Sequence, residues 1–132
     1  MVSSPVLAAL VVDDDPINLE ILSEMLCLRN WVADTAHSGC TAVVYALNKQ
    51  YDLIFMDLNM PTLDGRSAML EIRRSEEKHN VIVAVSAGSS KSEASGLVQA
   101  GFDKVLVKPF TCQEVFKICE VEELHNLGPH IQ

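Results

Sequence analysis

The sequence predicts a doubly wound α/β domain, a five-stranded parallel sheet with five helices. Five short apolar runs of strand character recur along the chain, and each is followed by a longer segment whose apolar residues fall at helical spacing. The runs are apolar throughout instead of alternating with polar residues, the pattern of strands covered on both faces. Strands and helices in strict alternation favour a parallel sheet with helices on each side.

The first strand spans Leu7–Val12. Its helix begins at Pro16, a residue suited to a first helical turn, with Ile17, Ile21 and Met25 as the apolar stripe. Trp31 opens the second strand, Trp31–Thr35, and Ser38 is the N-cap candidate for a helix striped by Cys40, Val43, Val44 and Leu47. After the third strand, Leu53–Met56, only Met69 and Ile72 mark a third helix. The fourth strand, Val81–Val85, precedes the Ser- and Gly-rich Ser89–Gly101, a surface helix of low propensity held by Ala94, Leu97 and Val98 and ended by Gly101. Val105–Val107 is the fifth strand, and Thr111 is the cap candidate for a helix striped by Cys112, Val115, Phe116 and Cys119. Gly128 is a C-terminal signal, and Glu122–Gln132 read as a frayed extension too short for an output domain. Residues 1–132 are expected to form one domain with its core at about 6–121, because a second domain would leave each half too short to bury a core.

Ten Lys and Arg against eighteen Asp and Glu give a formal charge of -8, which argues against binding a nucleic-acid backbone. The apolar run before Asp13 lacks the basic flank and the small cleavage-site residues of a signal peptide, and no segment reaches membrane-spanning length. Cys27, Cys40, Cys112 and Cys119 form no CxxC pair, so they read as small buried hydrophobes in a reducing compartment and not as zinc ligands. His37, His79, His125 and His130 show no ligand spacing and read as surface residues, as does the charge run Arg73–His79. Met56 and Met60 read as packing residues.

The polar residues carry the chemistry. Asp13 and Asp14 end the first strand, Asp57 the third, Ser86 the fourth and Lys108 the fifth, and in a parallel sheet these carboxyl ends share one edge, where open α/β folds place their ligands. Two carboxylates ~4 Å apart repel by ~4 kcal/mol at an effective dielectric of ~20, so a cluster of them needs a cation. A hard all-oxygen set of this kind suits Mg²⁺ that keeps waters for a phosphate partner. Lys108 and the Ser86 hydroxyl could bind phosphoryl oxygens, and an Asp carboxylate can itself accept the phosphoryl group. Asp15 reads as the cap of the first helix.

Four stretches, VVDDDPIN (Val11 to Asn18), DLIFMDLNMPTLDG (Asp52 to Gly65), VIVAVSAG (Val81 to Gly88) and KVLVKPF (Lys104 to Phe110), taken in order resemble those of a two-component response-regulator receiver domain. The resemblance implies a flavodoxin-like strand order 2-1-3-4-5. It implies Asp57 as phosphoacceptor, Asp13, Asp14, Asp57 and the Asn59 backbone carbonyl as ligands of Mg²⁺ (or Mn²⁺ in its place), Ser86 as the switch hydroxyl and Lys108 as the phosphate-pairing lysine. The Lys108–Pro109 bond is often cis in such domains. The phosphoryl donor would be a histidine kinase or a histidine-containing phosphotransfer protein docking beside the first helix, with Ile17, Leu19 and Leu22 as candidate contacts. A cytoplasmic monomer is expected, or a nuclear one in a plant, similar to stand-alone plant type-C regulators or to receivers of hybrid kinases.

One position departs from the pattern. Receivers commonly carry Tyr or Phe three residues before the lysine, where this chain has Val105, so coupling through a swinging ring is in doubt while the phosphoryl chemistry is not. Among competing functions, a pseudo-receiver that binds partners without phosphorylation is disfavoured by the intact Asp13, Asp14, Asp57, Ser86 and Lys108. A haloacid-dehalogenase-like phosphatase is disfavoured by Asp15-Pro16-Ile17 and the lack of a cap domain, and a flavin binder by three carboxylates where a phosphate would sit.

Overall fold

A computed structural model describes residues 6–88 and 90–127. Along the chain run β1 (Ala8–Val12), α1 (Pro16–Leu28), β2 (Val32–Ala36), α2 (Gly39–Asn48), β3 (Leu53–Asp57), α3 (Gly65–Ser75), β4 (Ile82–Ser86), α4 (Lys91–Ala100), β5 (Lys104–Val107) and α5 (Cys112–Leu127). The strands pair in parallel as one sheet in the order β2-β1-β3-β4-β5, as expected. Successive side chains of a strand point to opposite faces, and the inner strands bury both. Leu10, Val12, Ile54, Met56, Ile82 and Ala84 meet α2, α3 and α4 on one face. Ala9, Val11, Leu53, Phe55, Val83 and Val85 meet α1 and α5 on the other. Two cores on one sheet explain why these runs show no alternation.

The helices begin where side chains can satisfy orphan amides, each such cap contributing ~1 kcal/mol. Asp15 caps α1, accepting from the Ile17 amide at 2.9 Å. Ser38, Asp64 and Ser90 do the same for α2, α3 and α4. Thr111 and Glu114 form a reciprocal capping box at the start of α5, each amide donating to the other's side chain.

Several expectations are corrected. β2 starts at Val32, with Trp31 buried just before it, and β2 is a partly exposed edge strand in which only Ala36 is buried and the polar Asp34 and Thr35 interrupt the expected apolar run. The stripes expected to face inward on α1 and α2 do so only at Met25 and Val43, which pack against the cores: Leu19, Leu22 and Leu26 are buried while Ile17 and Ile21 are exposed, and Ala42 and Ala46 are buried while Cys40, Val44 and Leu47 are exposed. Both helices carry two apolar stripes, and fit against the sheet selects the face that allows closer approach. Leu97 alone is buried on α4, Val98 being half exposed.

Of the four cysteines, only Cys119 is buried, which pushes its thiol up to about 12, and all four are free. Met56 and Met60 are buried as expected. Arg73 and Glu76 are not solvated: Arg73 donates to the carbonyls of Gly101 and Asn80 and pairs with Glu76 and Asp103, tying α3 to the turn before β5. His79 Nε2 lies 2.6 Å from Asp103 Oδ1, so this exposed ring is also engaged. The segment from Glu122 continues α5 as far as Leu127, held by Glu123, whose carboxylate pairs with Arg29 and accepts from the Trp31 indole. Gly128 and His130 lie outside the described residues. Among those residues no helix is long and apolar enough to cross a membrane.

Candidate functional site

Register builds the site. Val12 pairs with Met56, so the residues that follow them, Asp13 and Asp57, emerge level with one another. Asp57 pairs with Val85, and Ser86 pairs with Val107, which puts Ser86 one step and Lys108 two steps further along the same edge. Four chain segments distant in sequence therefore deliver side chains to one rim.

The side chains meet there. Carboxylate oxygens of Asp13, Asp14 and Asp57 lie within 4.8 Å of one another, Asp13 and Asp57 buried and Asp14 exposed. Lys108 Nζ donates to Asp57 Oδ1 at 3.1 Å and lies 3.7 Å from Asp13 Oδ2, a single cation between two acids. Burial chiefly, then the Asp57 charge, pushes the Asp13 carboxyl above its usual range, against the pull of the Asp15 amide, Lys108 and Asn18. One lysine thus leaves the repulsion incompletely offset. Three carboxylates converging on one point form the hard, oxygen-only donor set that suits Mg²⁺, with Asp14 open to solvent for the waters such an ion keeps.

Ser86 is buried, and its hydroxyl accepts from the Gly88 amide at 3.0 Å. Asn59 lies exposed in the loop after β3, which Gly65 closes by donating its amide to Leu58. The Lys108–Pro109 peptide is cis. A cleft of about 450 Å³ opens beside the acids, walled by Ile21, Leu22, Met25 and Phe110, with Asp13, Asn18 and Lys108 at its polar end.

Two further residues, Asn18 and Gly65, belong to the site. Asn18 lines the same cleft as Asp13 and helps draw that carboxyl's pKa down, and only the turn of α1 brings it there. An ideal Cβ on Gly65 would lie 2.2 Å from the Asp57 carbonyl oxygen, so the backbone carrying the acid packs directly on the start of α3. The Asp64-Gly65 pair is the sequence signal for this close approach.

A family model for the response regulator receiver domain matches residues 9–120. The chain belongs to that family. Curated relatives of this receiver domain include the hybrid signal transduction histidine kinase A of Dictyostelium discoideum, 34% identical over 108 residues that make up 78% of this chain and 5% of the relative. The transcriptional regulatory protein PrrA of Mycobacterium leprae is 39% identical over 114 residues, 86% of this chain and 48% of the relative. The chain thus spans less than half the length of either.

Among solved structures, the receiver domain of the sensor histidine kinase PA1611 of Pseudomonas aeruginosa, with magnesium coordinated in its active site cleft, superposes with a TM-score of 0.81. It is 32% identical, over 90% of this chain and 98% of that one. The response regulator TrrA of Thermotoga maritima, in complex with Mg²⁺ and BeF, gives a TM-score of 0.77 at 30% identity, over 88% of this chain and 98% of that one. This chain is accordingly a receiver domain of the two-component kind, and its acidic cluster fits a phosphorylation site.

Proposed function

We propose that this receiver domain takes a phosphoryl group from a phosphohistidine protein onto Asp57 and slowly hydrolyses it. The observation that carries this reading is the meeting of Asp13, Asp14, Asp57 and Lys108 at one rim, acids and a cation within bonding reach of a shared point. A carboxylate oxygen of Asp57 attacks phosphorus, the P–N bond to the donor imidazole breaks as the P–O bond forms, and the imidazole leaves with the electron pair. Lys108, held against Asp57 Oδ1, is placed to pair with a phosphoryl oxygen, and the Ser86 hydroxyl to donate to another. Asp13, Asp14, Asp57 and the Asn59 backbone carbonyl would hold Mg²⁺, with Mn²⁺ as a substitute. When bound, that ion supplies charge neutralisation and alignment, which phosphoryl transfer needs more than covalent assistance.

The donor in this reading is a histidine kinase or a histidine-containing phosphotransfer protein, as the hybrid kinases among the relatives suggest. Of the docking residues anticipated on α1, Leu19 and Leu22 are buried and belong to the core, whereas Ile17 and the neighbouring Ile21 are exposed and available. Ile21 lines the apolar cleft that ends at Asp13, which supports approach along α1. We further propose that the domain acts as a monomer and, given its charge of -8, binds no nucleic acid itself.

Incubation with acetyl phosphate and Mg²⁺ should add one phosphoryl group, read by intact mass. Asp57→Asn should abolish the addition, and excess chelator should do the same to the wild type. Labelling that persists in Asp57→Asn would move the acceptor elsewhere.

A further inference from the structure

The cleft beside the acids has the build of a small-molecule site. Val11, Phe55 and Val85 of three adjacent strands form its floor, Met25 of α1 and Phe110 of the loop before α5 its walls, and its volume of about 450 Å³ falls within the range of such sites. Glu123 ties α5 to the far end of α1 through Arg29 and Trp31, whereas at the rim the wall opposite α1 is the loop before α5, and the space between stays open. At its polar end stands Asp13, whose side chain is 8% exposed. Its Oδ1 accepts from the Asp15 amide at 2.9 Å, but its Oδ2 accepts no hydrogen bond among the described residues, Lys108 Nζ standing 3.7 Å away. A nearly buried carboxylate oxygen without a donor is costly, and the cleft gives access to it. Three carboxylates against one ammonium leave the rim two charges negative, so a further donor that carries positive charge is favoured there and an anion is not.

We propose that this cleft binds a small primary amine with a broad apolar body, its ammonium donating to Asp13 Oδ2, and that the bound amine excludes Mg²⁺ from the acids. The exclusion rests on the reading of Asp13 as a metal ligand. A free amine is favoured over a lysine of a partner protein, because an apolar floor three strands wide suits a ring better than a thin stem. Occupancy withholds the cation that phosphorylation needs and leaves Asp57 itself untouched.

Phenethylamine is the probe, and methionine methyl resonances report where it sits. Met25 lines the cleft, whereas Met56, Met60 and Met69 lie in the core on the opposite face of the sheet. Without Mg²⁺, phenethylamine should shift the Met25 methyl saturably and leave that of Met69 unmoved. Phenethyl alcohol should bind roughly ten- to a hundredfold more weakly, the weight of one charge-assisted hydrogen bond. n-Butylamine, as thin as a lysine stem, should bind several-fold more weakly than phenethylamine. By calorimetry, Asp13→Asn should bring phenethylamine down to the affinity of the alcohol, and Met25→Ala should weaken it about three- to tenfold with Mg²⁺ affinity unchanged. In the wild type the apparent Mg²⁺ dissociation constant should rise in proportion to phenethylamine concentration, and Mg²⁺ should weaken the amine reciprocally. No saturable Met25 shift, alcohol or n-butylamine binding as tightly as phenethylamine, variants that bind it like the wild type, or an Mg²⁺ affinity indifferent to it would each overturn the proposal while leaving labelling by acetyl phosphate intact. Absence of Mg²⁺ binding to the amine-free protein would overturn the metal reading, and the exclusion with it.

Discussion

An ideal Cβ on Gly65 would lie 2.2 Å from the Asp57 carbonyl oxygen and 3.0 Å from Leu58 Cα, both backbone atoms that cannot swing aside. Gly65→Ala must therefore push β3 and α3 apart, and a destabilisation of about 1–3 kcal/mol is expected from such overpacking, read as a lower urea midpoint. Slower labelling by acetyl phosphate should accompany it, because the displaced backbone carries Asp57. Lys108 presents a different balance. Its ammonium satisfies Asp57 and Asp13 where a divalent cation would bind, so Lys108→Ala should tighten Mg²⁺ binding while slowing phosphorylation. A partly exposed pair of this kind contributes up to about 1 kcal/mol, so the gain in affinity should be on the order of fivefold by calorimetry. An unchanged or weaker Mg²⁺ affinity would show that the lysine does not compete for the acids.

At the scale of elements, the end of α5 is tied down by side chains the sequence offered no reason to pair. Glu123 accepts from Arg29 and from the Trp31 indole at 2.9 Å, and Arg29 lies over the Phe116 ring at 5.5 Å, joining α5 to the end of α1 and to the residue before β2. The Arg29 bond chiefly, helped by Trp31, holds the Glu123 carboxyl below the usual range despite partial burial. Glu123→Gln should cost about 1 kcal/mol by removing the charge while keeping an acceptor for Trp31. Thermal unfolding followed by the Trp31 near-ultraviolet signal would measure it, and no loss would show that this end of α5 contributes nothing to stability.

Charge is settled at the scale of the whole molecule. Asp34, Asp64, Glu76, Asp103 and Glu123 are all held below the usual carboxylate range. For Asp103, burial pulls upward, but the Ile82 amide, His79 and Arg73 together outweigh it. A carboxyl depressed on folding adds stability above its unfolded value, about 4, and that contribution is lost as pH falls through the folded value. Asp13 is raised and so works in the opposite sense, one group against five. Stability should therefore be flat near neutrality and fall steeply below about pH 4. Asp103→Asn should lessen that slope in urea titrations, and an unaltered slope would show that Asp103 titrates alike folded and unfolded.

Much of this architecture was legible in the linear order of residues, because β3 and β4 bury both faces and must be apolar at every position, and because caps such as Asp15, Ser38 and Thr111 are read locally. The acids and the lysine were legible too, since a polar residue ending a buried strand of a parallel sheet can only sit on the shared rim. What the chain alone left open was any choice between equivalent surfaces. α1 and α2 each carry two apolar stripes, and only docking against the sheet decided that Leu22 and Ala42 turn inward while Ile21 and Val44 stay outside. Long-range partners such as Arg73 with Asp103 and Glu123 with Trp31 were decided the same way. Local sequence sets which groups need a partner, but which partner comes within reach depends on how the layers pack.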